Sequence, residues 1–146
     1  MTSSEPVYRP PDLALLGVGH IARYEETGGA VGHEWNGATC LVLTTTGRIT
    51  GQPRKCALIY ARDGDDYLVV ASKGGAPSDP LWYRNLVASP TVTVQVLDRV
   101  FPAVARTATE EERPRLWRIV NEVWPNYQVY STRTDRQIPV VVLTAQ

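Results

Sequence analysis

The chain has 146 residues, a length that suits one domain large enough to bury a hydrophobic core. Its 15 lysine and arginine residues balance 15 aspartate and glutamate residues, so it lacks the positive excess typical of a nucleic-acid-binding surface. No apolar run could span a bilayer and the first residues do not form a signal peptide, so we expect a cytoplasmic protein. We expect residues 1–12, which contain three prolines, to form a mobile arm before a single domain at 13–146.

The first predicted elements are a helix and three strands. Asp12 suits the N-cap of a helix from about residue 13 to residue 26, which the glycines at 28 and 29 end. The sequence Asp63-Gly64-Asp65-Asp66 is a strong hairpin signal between the second and third strands. We predict three consecutive antiparallel strands at 39–46, 54–61 and 67–72.

The second half is predicted to contain two helices and three strands. Asp79 is the predicted N-cap of a short helix that has Pro80 at its first position and runs to Leu86. Residues 109–112 form a capping box for a helix that reaches about Val123, and Pro114 should delay or kink its start. The strands are predicted at 91–97, 100–107 and 138–144, with an aromatic and polar connector at 124–137.

Six short strands joined mostly by hairpins, with three helices, predict a mainly β fold of the α+β class. We expect a small split barrel of mostly antiparallel strands with helices packed outside it. The pattern argues against a parallel sheet of βαβ units, which would need a helical crossover between successive strands.

Two glycine-containing loops carry the charges that point to a ligand. The stretch from Thr44 to Lys55 holds Arg48 and Arg54 beside two glycines, and the stretch from Ala71 to Gly75 holds Lys73. Glycine lets the backbone approach a ligand closely, and tight turns present amide N–H groups to anions. No acidic residue occurs between positions 34 and 63. We therefore predict that the two loops hold a phosphorylated cofactor.

Other chemistries have little support in the sequence. Cys40 and Cys56 lie in apolar surroundings without CxxC spacing, so we expect free buried thiols. His20 and His33 are too isolated to form a metal site with them, and no metal is predicted. Neither a GxSxG elbow nor a P-loop sequence is present, which argues against a serine hydrolase and a P-loop enzyme.

Four segments, in matching order, resemble the deazaflavin-dependent nitroreductase family of actinobacteria. They are residues 45–54, 71–77, 80–86 and 124–130, and the similarity extends over about residues 20–144. The resemblance implies a split β-barrel that binds the 5-deazaflavin coenzyme F420. It also implies an F420-dependent oxidoreductase that transfers a hydride from the reduced coenzyme to a quinone, a nitroaromatic compound or an activated alkene such as an enone.

The resemblance also implies the site residues, which fall into four groups. The phosphate and tail group is Arg48, Ile49, Thr50, Arg54, Lys55, Cys56, Ala57, Leu58 and Ile59. Val70, Ala71, Ser72 and Lys73 would offer backbone groups to the edge of the deazaflavin ring, and Leu81, Trp82, Tyr83, Arg84 and Asn85 would cover the ring. Tyr127 would contact the coenzyme and stabilise charge on the acceptor, with Tyr130 beside it as a second catalytic candidate. Taken alone, the two tyrosines would instead simply cover the barrel mouth, Trp82 would be core, and Lys73 would be a solvated lysine.

Two other functions stay open at this point. The same cations could bind FMN, as in split-barrel oxidoreductases of the pyridoxamine-phosphate-oxidase type, or the chain could be a non-catalytic deazaflavin carrier or sensor. Trp124 and Arg133 differ from the residues common at these positions in relatives. Both lie where the electron acceptor is expected to bind rather than the coenzyme, so reduction of nitroimidazoles is an open question. We expect a monomer or weak oligomer that binds no nucleic acid and associates at most weakly with the inner face of the membrane.

Overall fold

The computed structural model describes residues 18–146, so the predicted arm and the predicted start of the first helix lie outside the described range. The helices are α1 (Val18–Thr27), α2 (Leu81–Ala88), α3 (Arg113–Val123) and α4 (Asn126–Ser131), and a 3-10 turn covers Lys73–Gly75. The strands are β1 (Glu34–Trp35), β2 (Ala38–Thr46), β3 (Pro53–Ile59), β4 (Ala61–Asp63), β5 (Asp66–Val70), β6 (Thr91–Val96), β7 (Arg99–Thr107) and β8 (Val140–Ala145).

The strands form a circuit of antiparallel pairs. Along the sheet the order is β1-β2-β6-β7-β8-β5-β4, and β3 pairs with the other side of β2. Only Tyr60 separates β3 from β4, so these two act as halves of one bent strand that joins β2 to β5. The predicted split barrel of mostly antiparallel strands is confirmed.

The predicted strand at 54–61 is wrong in one respect, because it is broken at Tyr60. There the backbone N–H donates to the carbonyl of Thr39, and the buried phenol packs edge-on against Tyr67 at 5.5 Å between ring centroids. The break lets β3 pair with β2 while β4 pairs with β5. The predicted hairpin is confirmed, with Asp63 paired to Asp66. The three predicted strands are antiparallel neighbours in the order β2, β3 with β4, and β5, and β5 pairs with β8 on its other side.

The helices and the connector differ from prediction in part. Pro80, rather than Asp79, is the N-cap of α2, because the Asp79 carboxylate forms an ion pair with Arg136 instead. The capping-box hydrogen bonds between Thr109 and Glu112 are present, and α3 begins at Arg113, which agrees with the delayed start predicted from Pro114. The connector at 124–137 contains a fourth helix, α4, and the short strand β1 was not predicted.

The core has two parts because β5 is buried on both faces. Tyr67 and Val69 point into the barrel, while Leu68 and Val70 point to the opposite side, as alternation along a strand requires. Leu116 and Val120 of α3 cover that second side with Trp124 and Tyr127. The outer layer of α3 and α4 therefore fixes the aromatic residues of the connector against the barrel.

Two further sequence expectations can be compared with the fold. Cys40 and Cys56 are free thiols, and the register of β2 and β3 places Cys56 opposite Leu43 and Cys40 opposite Ile59, so the two sulfur atoms do not face each other. Burial raises the pKa of each thiol to about 12, so both stay protonated at neutral pH. Within residues 18–146 no helix is both long enough and apolar enough to span a membrane.

Candidate functional site

Two adjoining cavities lie where the loop after β2, the segment 71–80 and α2 meet. We call the first the cationic cavity, because Arg48, Arg54, Lys55 and Lys73 line its volume of about 550 Å³. We call the second the aromatic cavity, because Trp35, Trp82, Trp124, Tyr127 and Tyr130 line its volume of about 410 Å³. Lys73, Pro80 and Trp82 line both, so one elongated ligand could occupy the two together.

Most of the sequence-predicted site residues are brought to these cavities. The cationic cavity is lined by Arg48, Ile49, Thr50, Arg54, Lys55, Cys56, Lys73, Leu81, Trp82 and Asn85. The aromatic cavity is lined by Ala57, Leu58, Ile59, Val70, Ser72, Lys73, Trp82, Tyr127 and Tyr130. Ala71, Tyr83 and Arg84 line neither cavity, and the Tyr83 hydroxyl is hydrogen-bonded to Thr107 at 2.7 Å.

The loop after β2 is a tight turn that depends on its first glycine. The Gly47 N–H donates to the Gln52 carbonyl and the Gly51 N–H donates to the Gly47 carbonyl, each at 2.8 Å. A Cβ atom at Gly47 would lie 3.0 Å from Thr50 Oγ1 and 3.1 Å from the Gln52 carbonyl oxygen. The turn holds Arg48 and Thr50 at the cavity wall, as the glycine pattern of the sequence predicts.

Asn85 attaches α2 to that loop. The residue is 7% exposed, and its Oδ1 accepts from the Arg48 N–H at 3.2 Å while its Nδ2 donates to Thr45 Oγ1 at 3.2 Å. These two bonds engage both polar atoms of the amide within the protein. Asn85 therefore positions the cationic loop against α2, a role that differs from the predicted covering of a ligand ring.

The four cations of the cationic cavity differ in availability. Lys55 forms an ion pair with Glu25 of α1, with 44% and 37% of the two side chains exposed. Within residues 18–146, Arg48, Arg54 and Lys73 form no salt bridge. Exposed pairs such as Lys55–Glu25 contribute at most about 1 kcal/mol, so an anionic ligand can compete for this lysine.

The segment 71–80 uses much of its own backbone within the protein. The Ala71 N–H donates to the Pro139 carbonyl, and the Ala71 carbonyl accepts from Arg136. The Ser72 carbonyl accepts from both the Gly75 N–H and Arg136. The predicted backbone contacts of this segment to a ring edge are therefore unavailable at Ala71, and the segment presents Lys73 to both cavities instead.

Tyr127 and Tyr130 lie together in the aromatic cavity because the connector is helical there. Their rings meet edge-on at 6.2 Å between centroids, and Trp124 Nε1 donates to the Tyr130 hydroxyl at 3.5 Å. Tyr127 is 5% exposed, and this burial raises the pKa of its phenol well above the usual value. The Tyr127 hydroxyl therefore stays protonated over the physiological pH range and can act as a hydrogen-bond donor.

Sequence reasoning missed several residues of the aromatic cavity. His20, Trp35 and Cys40 line it, although none has a motif spacing that predicts such a place, while Trp124 lies in a segment that the family resemblance assigns to the acceptor side. His20 Nε2 donates to the Gly32 carbonyl at 2.7 Å. Its Nδ1 and the Nε1 of Trp35 are buried without a hydrogen-bond partner among the described residues. Within the same part of the chain no cluster of side chains suits a metal ion.

Comparison with known proteins identifies the family. A family model for F420H(2)-dependent quinone reductases matches residues 18–145. A protein from Mycobacterium tuberculosis named F420H(2)-dependent quinone reductase is 50% identical over 129 residues, which cover 86% of this chain and 87% of that protein. The chain belongs to the F420H2-dependent quinone reductase family.

Solved structures agree with this membership. The structure of an F420-H2 dependent reductase named FDR-A is 43% identical with a TM-score of 0.67, covering 71% of this chain and 92% of that chain. A second structure, described as a domain-swapped dimer, is 38% identical with a TM-score of 0.69, covering 85% of this chain and 91% of that chain. The enzyme class and the coenzyme of this quinone reductase family member are thus those implied by the sequence resemblance, which favours F420 over FMN.

The cavities fit the coenzyme of an F420H2-dependent quinone reductase. The coenzyme has a flat aromatic ring and a tail that carries a phosphate and carboxylates. The cationic cavity offers Arg48 and Arg54 without salt-bridge partners in the described chain, which suits the tail. The aromatic cavity shares Lys73, Pro80 and Trp82 with it, and its aromatic lining suits a flat ring.

Proposed function

We propose that the coenzyme tail binds in the cationic cavity and that the ring extends past Lys73 and Trp82 into the aromatic cavity. The observation that supports this placement is that Lys73, Pro80 and Trp82 line both cavities, which therefore lie side by side. Arg48 and Arg54 would bind the phosphate and carboxylates of the tail. Lys55 would leave its ion pair with Glu25 and bind the anionic ligand instead. The quinone would then approach the ring from the side of Tyr127 and Tyr130.

When bound, the reduced deazaflavin supplies the hydride. The protein orients the two reactants between the aromatic side chains that line the cavity. Hydride addition leaves negative charge on a quinone oxygen, and we infer that Tyr127, which lines the same cavity, donates a hydrogen bond to it. The hydroxyls of a quinol are phenols with a pKa of about 10. Because burial raises the pKa of Tyr127 above that range, Tyr127 stabilises the oxyanion without giving up its own proton.

The decisive experiment mixes the purified protein anaerobically with reduced F420 and menadione and follows the visible absorbance of the oxidised coenzyme. We expect reoxidation that requires both protein and quinone. Tight coenzyme binding without quinone-dependent reoxidation would instead indicate a carrier or sensor. Fluorescence titration with F420 and with FMN compares the two cofactors, and a preference for FMN would refute the proposed placement.

The acceptor range and the assembly state complete the proposal. We propose quinones as the main acceptors, with nitroaromatic compounds and enones as weaker ones, and a panel of acceptors assayed with reduced F420 tests this order.

Ile49 is 84% exposed and Leu81 is 67% exposed at the rim of the cationic cavity, which supports weak peripheral association with the inner face of a membrane. Vesicle sedimentation tests this association, and analytical ultracentrifugation tests the proposed state of monomer or weak oligomer.

A further inference from the structure

Arg136 binds the segment 71–79 without lining either cavity. It lies in the connector between α4 and β8, and only 15% of its side chain is exposed. Its Nε donates to the Ala76 carbonyl at 2.8 Å and its Nη2 donates to the Ser72 carbonyl at 2.8 Å. Both Nη atoms donate to the Ala71 carbonyl at 3.2 Å, and Nη1 also reaches Asp79 Oδ1 at 2.9 Å. One side chain therefore binds the segment at its beginning, middle and end.

The held segment carries the residues that line both cavities. Lys73 follows Ser72 directly, while Pro80 and Trp82 follow Asp79 at the start of α2. These three residues line both the cationic and the aromatic cavity. Any shift of the segment would therefore displace both halves of the site together.

The conformation of the segment needs such support. Lys73 has a φ of +48°, in the left-handed region that residues other than glycine rarely adopt. Such a conformation persists only when surrounding contacts determine it. The planar guanidinium donates in several fixed directions and so can bind carbonyls at separate points of the chain, whereas the single ammonium of a lysine cannot reproduce this pattern.

We propose that Arg136 is a positioning residue for the coenzyme. It holds Lys73, Pro80 and Trp82 in the binding arrangement before the ligand arrives, so the coenzyme does not have to order the segment itself. Arg136 lines neither cavity and acts through the segment that it binds. The inference rests on the proposed placement of the coenzyme across the two cavities.

The test compares two Arg→Lys variants. Arg136→Lys should raise the Kd for F420 by about tenfold or more, because charge-assisted hydrogen bonds that fix the segment are lost. Arg115→Lys is the matched control, since Arg115 also forms a bidentate pair, with Asp63 at 2.7 and 3.1 Å, but is 54% exposed and lines neither cavity. The control should leave the Kd unchanged. Fluorescence titration measures the Kd of both variants and of the wild type.

Hydrogen exchange separates positioning from a general loss of stability. In Arg136→Lys without coenzyme, we expect faster exchange confined to residues 71–80, and saturating F420 should restore the protection. A merely structural role would instead accelerate exchange throughout β2 and β8. Should Arg136→Lys not fold, Asp79→Asn replaces it, and a raised Kd at an unchanged melting temperature supports the inference.

The possible failures have different meanings. If the wild type binds F420 and the folded Arg136→Lys variant binds it within twofold of the wild type, the positioning role is refuted while the proposed function stands. An unchanged Kd for Asp79→Asn, where that variant has to be used, refutes it equally. If the wild type does not bind F420, the proposed placement fails and the inference fails with it.

Discussion

Replacing Tyr127 with phenylalanine removes one hydroxyl from the aromatic cavity and leaves the buried ring in place. The ring is 5% exposed and packs against Tyr130, so Tyr127→Phe should keep the fold and the coenzyme affinity. Loss of one preorganised oxyanion donor typically raises the barrier by about 3 kcal/mol, which corresponds to a decrease in kcat of about 10²-fold. We therefore expect kcat with menadione to fall by roughly this factor, with little change in the Kd for F420.

The pKa of Tyr127 adds a second expectation. Because burial raises this pKa above the usual value of about 10, the donor proton is lost only in more alkaline solution. The ratio of wild-type to Tyr127→Phe kcat should therefore be constant between about pH 6 and pH 9. Stopped-flow measurement of F420 reoxidation at saturating coenzyme gives this ratio directly.

Tyr67→Phe is the matched control for this experiment. Tyr67 is equally buried, at 2% exposed, but it lies in the barrel core and lines neither cavity. Its kcat should equal that of the wild type. If Tyr127→Phe also retained wild-type kcat, or if its defect appeared only as weaker F420 binding, Tyr127 would not be the oxyanion donor.

Three further predictions concern the cationic cavity, the packing of the segment 71–80 and the stability of α3. Arg54→Ala should raise the Kd for F420 by about tenfold, with a smaller effect at high salt. Arg118 is exposed, and Arg118→Ala is the control that should leave the Kd unchanged. Equal affinities of Arg54→Ala and the wild type would exclude Arg54 as a ligand of the coenzyme tail. Gly75→Ala should lower the melting temperature, because Gly75 has a φ of +84° and a Cβ there would lie 2.7 Å from the Tyr130 carbonyl oxygen; an unchanged melting curve would contradict this close packing. Glu112→Gln should cost about 1 kcal/mol of unfolding free energy at pH 7. Hydrogen bonding to Arg106 lowers the pKa of Glu112 from 4.5 to about 2, so the contribution of this carboxylate to stability is complete above pH 4.5 and disappears as the pH falls through 2. Urea unfolding should therefore show the stabilities of the wild type and Glu112→Gln converging near pH 2. A stability difference independent of pH would refute the role of this charge.

Local chemistry determined much of the fold in advance. β-branched runs and the turn at Asp63–Asp66 predict the strands and their antiparallel pairing, because these signals act between neighbours in sequence. The cationic cavity was also accessible to prediction, since Arg48 and Arg54 lie in one short glycine-containing loop. The family motifs then predicted the coenzyme, and the family match agrees with that prediction.

Only the tertiary structure decided how distant segments combine. The break at Tyr60 lies where the strand changes its partner from β2 to β5, and the loss of Asp79 as a helix cap depends on Arg136, which is 57 residues away. His20 and Trp35 reach the aromatic cavity without any motif, because the barrel brings α1 and β1 beside α4. Propensity and turn signals report a residue's immediate neighbours, whereas these contacts arise from packing across the chain. The sequence thus determined the barrel and the charged loop, and tertiary packing determined how Arg136 holds the segment that joins the two cavities.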